Sequence, residues 1–212
     1  MHPQVSRKNI VVFTGAGISA ESGLQTFRGD GGLWEGHRVE DVATPEAWAK
    51  DPALVLEFYN VRIITQNVDD LHERAGSAHV LHLHGEILYA RSARDPSHTQ
   101  YLGDRDIALG DTCPLGSQLR PHIVWFGELV PAMDEAARIV SQTDIFLCIG
   151  TSLQVYPANS LIFATPRRAR RIVVNPEVPD LVPADVCECI AKTACEGVPE
   201  LVASLLLEST TL

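Results

Sequence analysis

A glycine-rich turn near the start of the chain has the residue types and spacing of a phosphate-binding loop. It reads Gly15-Ala16-Gly17 and directly follows the apolar run Val11-Val12-Phe13. Glycine can adopt positive φ and lets backbone N–H groups approach a diphosphate, and a helix beginning there directs its positive dipole end at the same charge. The turn predicts a dinucleotide site, although the same pattern also joins strands to helices in α/β proteins that bind nothing.

A histidine with the surroundings of a general base lies further along the chain. His84 stands in His82-Leu83-His84-Gly85, after a polar strand end and before a glycine. Near neutral pH an imidazole can accept a proton from a reacting hydroxyl. The alternative is a histidine that is only hydrogen-bonded in the crease between two lobes. For His72, His79 and His82 we expect structural roles.

Three polar side chains near predicted strand ends could contact a ribose, a water or a nicotinamide. Asn67 and Asp69 lie close together in Gln66-Asn67-Val68-Asp69, and Glu177 follows the strand around 172–175. A carboxylate at a strand end can accept hydrogen bonds from ribose hydroxyls. The alternatives are a capping or Asx-turn motif for Asn67 and Asp69, and an exposed loop carboxylate for Glu177.

Short apolar runs would position these residues. Each run ends in small or polar residues, and helical stretches at 131–143 and 199–207 alternate with them. The runs are at 9–13, around 63–65, at 145–149 and at 171–174. This alternation predicts an α/β fold with a doubly wound parallel sheet. Ligands of such sheets bind at the carboxyl ends of the strands, where the candidate residues lie.

Residues 86–121 differ in composition from the rest of the chain. They are polar, with Asp, Arg, Gly and Pro, and show little helical period. This predicts a small irregular lobe inserted between two strands of the main sheet. We assign 1–85 and 122–212 to the main domain and 86–121 to the lobe, with a further part of the lobe around 30–62.

One join in the sequence is abrupt. The pattern predicts helices over 45–62, and a strand begins at Ile63 with no residues left to turn the chain. A connection from helix to strand normally takes about 2–6 residues. The strand 63–65 is also shorter than the usual length of about 5 residues. We therefore predict that a segment is missing between Arg62 and Ile63.

The overall composition excludes several classes of function. The 212 residues are 45% hydrophobic and 21% charged, as in a soluble globular protein with one sizeable core. A formal net charge of −10 argues against non-specific binding to nucleic acid or to an anionic membrane. No apolar stretch reaches the roughly 20 residues of a membrane span, and the N-terminus lacks a signal-like core. We expect a cytoplasmic protein, whose oligomeric state the sequence leaves open.

Six motifs, in order along nearly the whole chain, resemble those of the sirtuins, the NAD-dependent protein-lysine deacylases of the Sir2 family. They are 15–23 (Gly-Ala-Gly-Ile-Ser-Ala-Glu-Ser-Gly), 65–72 (Thr-Gln-Asn-Val-Asp-Asp-Leu-His), 83–86 (Leu-His-Gly-Glu), 124–128 (Val-Trp-Phe-Gly-Glu), 150–152 (Gly-Thr-Ser) and 175–177 (Asn-Pro-Glu). Any one motif is weak, but their shared order and spacing make the resemblance specific.

The resemblance implies a Rossmann-type domain that binds NAD, a small lobe, and an acylated-lysine protein or peptide in the cleft between them. It makes His84 the catalytic base. It also implies that Asn67 and Asp69 hold the nicotinamide end of NAD and a water molecule beside it. The products would be nicotinamide, free lysine and O-acyl-ADP-ribose. The implied NAD-binding residues are Gly15, Ala16, Gly17, Ser19, Glu21, Phe27, Arg28, Gln66, Gly150, Thr151, Ser152, Asn175, Glu177 and Ala194.

The resemblance also implies substrate contacts. Val124, Trp125 and Phe126 would line the acyl-lysine tunnel and pair with the peptide backbone; without it, these residues read as a buried strand. Tyr59 and Arg62, at i and i+3 of the predicted helix, resemble the Tyr-x-x-Arg signature of bacterial sirtuins that remove succinyl or malonyl groups. The small Ala43 fits the same group. The implied acyl range is succinyl and malonyl together with acetyl.

The chain departs from most sirtuins at the zinc site. Those proteins hold zinc with two Cys-x-x-Cys pairs, whereas here the first pair would fall at Ser92 and Asp95 and the second keeps only Cys113. One thiolate cannot make a tetrahedral structural site, so we expect no zinc. Together with the join after Arg62, this leaves two alternatives to deacylation open. One is a catalytically silent NAD-binding module and the other is a mono-ADP-ribosyltransferase.

Overall fold

The computed structural model of the protein describes residues 9–15, 18, 33–34, 37–38, 61–179 and 187–209. The strands are β1 (Ile10–Thr14), β2 (Leu33–Trp34), β3 (His37–Arg38), β4 (Val61–Thr65), β5 (Val80–His82), β6 (Gly85–Ser92), β7 (Thr99–Tyr101), β8 (Leu119–Ile123), β9 (Ile145–Ile149), β10 (Arg170–Val174) and β11 (Glu188–Ile190). The helices are α1 (Leu71–Arg74), α2 (Met133–Val140), a 3₁₀ helix (Ala158–Ala164) and α3 (Ala194–Ser209). In this part of the chain, no helix is long and apolar enough to cross a membrane.

Six parallel strands form the main sheet, in the order β5-β4-β1-β9-β10-β11. Counted by their succession in the chain, these strands lie in the order 3-2-1-4-5-6, which is that of a Rossmann sheet. The succession reverses between β1 and β9, where Phe13 is aligned with Cys148. The prediction of a doubly wound α/β fold is confirmed, and the switch point falls at the two strands that carry glycine motifs.

Alternate side chains of the central strands enter two apolar layers. On one face, Phe13 and Phe146 stack with ring centroids 6.0 Å apart, and α2 and the 3₁₀ helix cover them. On the other face, Leu147 and Ile172 pack against Leu201 of α3. Burial of the strands on both faces explains why they read as continuous apolar runs in the sequence.

The final helix begins earlier than the sequence predicts. The expected start at Pro199 lies inside α3, which begins at Ala194. Thr193 precedes the helix, and its hydroxyl donates to the Glu196 carboxylate at 3.2 Å. This is the Ser/Thr-x-x-Glu spacing of a capping box, and it is the signal that the expected start overlooked. The helix expected over 131–143 is shorter, with α2 spanning Met133–Val140.

The polar segment after His84 forms a three-stranded antiparallel sheet, in the order β7-β6-β8. Ala90, Cys113 and Leu119 make a separate small core under it. The expectation of an irregular lobe is therefore wrong in its local structure, because two long-range pairings with β6 organise these residues. In the chain, this sheet lies between β5 and β9. The domain bounds 1–85, 86–121 and 122–212 stay a prediction, and most of 30–62 lies outside the described residues.

The predicted helix over 45–62 is wrong at its end. Val61 and Arg62 belong to β4, paired with Ile10 and Val11 of β1. The strand has five residues rather than the expected three, so its length no longer argues for a missing segment. Backbone pairing with β1 outweighs a helical period of side chains in deciding the conformation of these two residues.

Candidate functional site

Gly15 lies where the main sheet changes direction. Its N–H donates to the carbonyl of Ile149 at 3.2 Å. A Cβ at this position would lie 2.8 Å from the Cβ of Thr151 and 2.9 Å from the carbonyl oxygen of Gly150. The φ of Gly15 lies outside the left-handed region, so this residue does not use the positive φ that glycine allows. Close approach to the end of β9 is what requires glycine here.

Gln66 links the ends of three neighbouring strands. Its N–H donates to the carbonyl of Thr14 at 2.9 Å, and its Nε2 donates to Thr151 Oγ1 at 3.0 Å. The side chain of Gln66 thus extends from the end of β4, past the end of β1, to Thr151, which follows β9. Predicted cofactor residues at 15, 66, 150 and 151 are brought together at one edge of the sheet.

His84 lies between β5 of the main sheet and β6 of the antiparallel sheet. Its Nδ1 is 3.0 Å from the carbonyl oxygen of Gln66. Because a carbonyl can only accept, Nδ1 carries the proton, and the neutral ring keeps its lone pair on Nε2. The half-buried ring therefore has both features that were alternatives in the sequence: it is hydrogen-bonded between two sheets, and it presents a basic nitrogen.

Gly85 holds the backbone of His84 in place. Its φ is +81°, and a Cβ there would lie 2.1 Å from the carbonyl oxygen of His122. The carbonyl of His84 accepts the N–H of Val124 at 2.8 Å. The glycine thus permits β6 to start against β8, and that pairing fixes His84 beside the segment that follows β8.

Asn67 and Asp69 lie in the loop between β4 and α1. Asn67 is buried, its N–H donates to Thr65 Oγ1 at 3.1 Å, and its carbonyl accepts from His82 Nδ1 at 3.0 Å. Asp69 Oδ1 accepts the N–H of Leu71, two residues on, at 3.2 Å, which is the Asx-turn alternative left open in the sequence. A role at a nicotinamide stays a prediction for both residues.

Two further histidines, His72 and His82, form hydrogen bonds around the loop between β4 and α1. His82 Nε2 lies 2.8 Å from Glu73 Oε1, so this ring joins the Asn67 carbonyl to a carboxylate. His72 Nε2 lies 2.9 Å from Thr14 Oγ1, which also donates to Thr65 Oγ1 at 2.8 Å. Burial lowers the pKa of His72, against the opposing effect of nearby carboxylates.

These contacts were not found from the sequence, although threonines at the ends of two runs that pair in parallel were a usable signal. His79 contributes its carbonyl, which accepts the N–H of Ile63 at 2.8 Å, and its side chain is exposed.

The remaining described cofactor candidates follow β9, β10 and β11. Gly150 has a φ of +64° and donates its N–H to Val174 at 3.0 Å. Asn175 Nδ2 donates to the carbonyl of Glu177 at 2.5 Å, and the Glu177 side chain is exposed. Ser152 is exposed after β9, and Ala194 opens α3. Cofactor candidates outside the described residues are Ala16, Gly17, Ser19, Glu21, Phe27 and Arg28.

The predicted substrate residues divide into two groups. Val124, Trp125 and Phe126 follow β8 directly, in a turn rather than a buried strand, with Trp125 49% exposed and Phe126 98% exposed. Arg62 is exposed near the amino end of β4, three residues before Thr65 and so roughly 10 Å short of the strand's carboxyl end. The structure does not bring it to His84.

Arg62 lines a pocket at the opposite edge of the sheet, together with Asn9, His79, Arg138 and Gln142. This pocket lies away from the candidate site. Tyr59 and Ala43 lie outside the described residues.

The lobe's substitutes for cysteine make protein contacts. Ser92 Oγ accepts the N–H groups of Arg94 and Asp95 at 3.3 and 3.2 Å. A hydrogen bond with Ser92 is the main cause that lowers the pKa of the buried Cys113. Among the described residues, no group of three or more His, Cys, Asp or Glu side chains could hold a metal ion. The expectation of no zinc stays a prediction.

A Rossmann sheet with a glycine turn at its switch point and a histidine at the same edge defines a dinucleotide-binding protein with a separate antiparallel lobe. A model of the Sir2 family matches residues 15–63 and 57–157. This chain belongs to the Sir2 family, as its motifs predict.

Named relatives and solved structures agree with that membership. An NAD-dependent protein deacylase of Bacteroides thetaiotaomicron is 46% identical, with 92% of this chain and 96% of that protein covered. A Sir2 homologue solved as an NAD complex superposes with a TM-score of 0.70 at 35% identity, covering 97% of this chain and 92% of the other. A Sir2 complex with a p53 peptide and NAD⁺ has a TM-score of 0.63 at 26% identity, covering 96% and 94%.

The comparisons also bear on the abrupt join after Arg62. Residues 57–63 belong to both matches with the family model, so the match of this chain to the Sir2 family is divided into two pieces at this place. The alignment with the Bacteroides relative runs over 225 positions, more than the 212 residues of this chain. The relative therefore has residues without a counterpart here, and a missing segment between Arg62 and Ile63 stays a prediction.

Proposed function

We propose that this chain is an NAD-dependent protein-lysine deacylase in which His84 is the general base. The observation that carries the proposal is the anchoring of His84 Nδ1 on the Gln66 carbonyl at 3.0 Å. Gln66 in turn bonds to Thr151 beside the glycine turn. A base with its lone pair on Nε2 is thus tied through one residue to the expected dinucleotide site.

The residues at the switch point fit NAD. Gly15 approaches the end of β9 so closely that a Cβ would lie 2.8 Å from the Thr151 Cβ, and a glycine turn at the switch point of a Rossmann sheet suits a diphosphate. Ser152, Asn175 and Glu177 follow β9 and β10 at the same edge and can contact the ribose hydroxyls of the cofactor. We extend the site to Ala16, Gly17, Ser19, Glu21, Phe27, Arg28 and Ala194 on the family motifs.

The chain's own contribution to the reaction is a base that accepts a proton and a carbonyl that keeps it oriented. Bound NAD would supply an ADP-ribosyl group to the acyl oxygen of the modified lysine, with nicotinamide as the leaving group. His84 would accept, at Nε2, the proton of the NAD ribose hydroxyl that attacks the acyl carbon. The Gln66 carbonyl then stabilises the imidazolium, because it accepts from Nδ1–H throughout. With one water consumed, the products are nicotinamide, free lysine and O-acyl-ADP-ribose.

Asn67 and Asp69 would orient the nicotinamide end and its water. Asn67 suits this role because it is buried and its backbone is bonded at both N–H and carbonyl. Asp69 is held by the hydrogen bond that its carboxylate accepts from the Leu71 N–H. Groups held in this way lose little entropy when a ligand binds.

The substrate is an acylated lysine in a protein or peptide. Val124 lies beside the base, because its N–H bonds to the carbonyl of His84. An extended peptide can lie along Val124, Trp125 and Phe126, as the family motif implies, and form backbone hydrogen bonds with groups other than the Trp125 N–H and carbonyl, which are bonded to Glu128. The exposed aromatic side chains of the last two residues supply apolar contact area.

Acetyl is the acyl group that we propose first, with succinyl and malonyl second. The proposal that succinyl and malonyl groups are also removed rests on the sequence signature of Tyr59 and Arg62 and on the small Ala43. The position of Arg62 at the amino end of β4 argues against that signature in this chain. We place the protein in the cytoplasm on its composition.

The test is turnover of matched acetyl-lysine and succinyl-lysine peptides with NAD. Nicotinamide is quantified and the mass of the peptide is recorded, for wild type, His84→Ala and His79→Ala. His79 is an exposed histidine away from the site and serves as the matched control. Nicotinamide release with loss of the acyl group, reduced about 100-fold or more in His84→Ala alone, supports the proposal.

Other outcomes contradict it. A protein that gains the mass of ADP-ribose identifies a mono-ADP-ribosyltransferase instead. Binding of NAD without nicotinamide release from wild type identifies a silent NAD-binding module.

A further inference from the structure

Two arginines of the antiparallel sheet face each other across paired strands. Arg91 of β6 and Arg120 of β8 are direct partners in the register. Their side chains are only 11% and 15% exposed. Like charges opposite each other in a sheet repel, and the repulsion grows when the charges are removed from water. Such a pair requires an anion between the guanidinium groups.

Glu128 provides that anion. Its Oε2 accepts from Arg91 Nη2 at 3.0 Å and from Arg120 Nη2 at 3.1 Å, while Oε1 accepts from Arg120 Nη1 at 2.5 Å. Arg120 binds both carboxylate oxygens, which fixes the orientation of the group as well as its position. The hydrogen bond from Arg120 is also the main cause that lowers the pKa of Glu128 to about 2.

The same carboxylate closes the turn after β8. Glu128 Oε2 accepts the N–H of Trp125 at 2.9 Å, and the Glu128 N–H donates to the Trp125 carbonyl at 3.0 Å. Gly127 has a φ of +89°, which completes the reversal. Arg120 also covers Trp125, with its guanidinium carbon 3.3 Å from the ring centroid, in a cation–π contact.

The turn so formed carries Phe126 almost fully in solvent. A phenylalanine that is 98% exposed on a turn with this many internal bonds is not needed for packing of the described residues. The turn also begins one residue after Val124, whose N–H bonds to His84. The clamp of Arg91, Arg120 and Glu128 therefore connects the antiparallel sheet to the surface next to the base.

We propose that Arg91, Arg120 and Glu128 are positioning residues, which hold Trp125 and Phe126 rigid for binding of the acyl-lysine peptide. This inference rests on the proposed deacylase function; it gives a role to Glu128, the last residue of the motif 124–128, and adds Arg91 and Arg120, which stand in none of the motifs. The physical reason is preorganisation: a turn already fixed before the peptide arrives loses less conformational entropy on binding. The clamp does not touch the reacting atoms, so it acts on peptide affinity and leaves the chemical step unchanged.

Peptide binding is measured first, without NAD, so that no turnover is needed. The probe is a fluorescein-labelled peptide with one acetyl-lysine, and the readout is fluorescence anisotropy. We expect Arg91→Lys and Glu128→Gln each to raise the Kd about tenfold. Arg94→Lys and Glu135→Gln are the matched controls, since both residues are exposed, and they should leave the Kd within twofold. Glu128→Gln, at a partly exposed side chain, keeps the test decisive should Arg91→Lys fail to fold.

Turnover then separates a positioning role from a general loss of structure. With NAD, the clamp variants should raise the KM for peptide about tenfold, with kcat and the KM for NAD within threefold of wild type. An unchanged Kd and KM for the peptide in folded Glu128→Gln overturns the clamp. A tenfold fall of kcat with an unchanged KM for the peptide also overturns it. Peptide binding by a wild type that releases no nicotinamide overturns the proposed function and leaves the clamp tested by Kd alone.

Discussion

His84 Nδ1 lies 3.0 Å from the carbonyl oxygen of Gln66, so a backbone group of the residue after β4 sets the tautomer of the histidine between the two sheets. We expect the neutral ring to carry its proton on Nδ1 and its lone pair on Nε2. The measurement is the pair of ring ¹⁵N chemical shifts of His84, assigned by comparison with His84→Ala. A neutral ring protonated on Nε2 would contradict the role of His84 as a base at that atom.

Gly85→Ala should be much more destabilising than an ordinary glycine replacement. Its φ of +81° and a Cβ 2.1 Å from the His122 carbonyl oxygen combine strain with a backbone clash. Gly116→Ala is the matched control, since its φ is +72° and nothing lies within 4 Å of its Cβ position. We expect a cost of about 1 kcal/mol at Gly116 and about 1 to 3 kcal/mol more at Gly85. Urea unfolding measures both, and equal costs would show that the clash is relieved.

Gly15→Ala should weaken NAD binding rather than change the fold. The new Cβ would lie 2.8 Å from the Thr151 Cβ and 2.9 Å from the Gly150 carbonyl oxygen. Either contact forces the turn away from the end of β9, where the diphosphate is expected. Isothermal titration calorimetry should show a Kd for NAD raised about tenfold or more, corresponding to about 1.4 kcal/mol. An unchanged Kd would remove Gly15 from the cofactor site.

Stability should fall as the pH drops from about 7 to 5, and His72 should contribute to that fall. Burial lowers the pKa of His72 in the folded protein, so the unfolded chain binds a proton there at higher pH. The stabilisation by this residue is therefore complete above the ordinary histidine pKa near 6.5 and is lost below it.

The comparison is urea unfolding of wild type and of His72→Gln at pH 7.5 and pH 5.5. Glutamine can still bond to Thr14, which His72 Nε2 contacts at 2.9 Å. We expect a smaller pH dependence in the variant and an unchanged one in the exposed control His79→Gln. The same slope in all three proteins would exclude His72 as a source.

Arg62→Met should leave the choice of acyl group nearly unchanged. Arg62 is exposed near the amino end of β4. His84, in contrast, follows the carboxyl end of β5, the strand that pairs with β4. We expect the ratio of desuccinylation to deacetylation to stay within about twofold of wild type, since an ion pair with the acyl carboxylate would contribute a larger factor. The ratio is obtained from kcat/KM with matched peptides. A tenfold loss of desuccinylation alone would show that Arg62 reaches the acyl chain.

Much of the fold follows from local patterns. The apolar runs at 9–13, 145–149 and 171–174 predict strands that the structure contains as β1, β9 and β10, because strands buried on both faces carry no polar alternation. The helix start at Ala194 had its own local signal in Thr193 and Glu196. The predicted start at Pro199 did not take these two capping residues into account.

The sequence by itself determined the class of fold, the glycine turn and the histidine that stands between two sheets, since each depends on residue types close together in the chain. Only the tertiary structure decided which residues meet across long separations. Arg62 is in a strand because β1 pairs with it, Gly15 is glycine because Thr151 approaches it, and Arg91 with Arg120 is stable because Glu128 lies between them. Pairing, close approach and charge neutralisation depend on distances in space, which residue spacing does not encode.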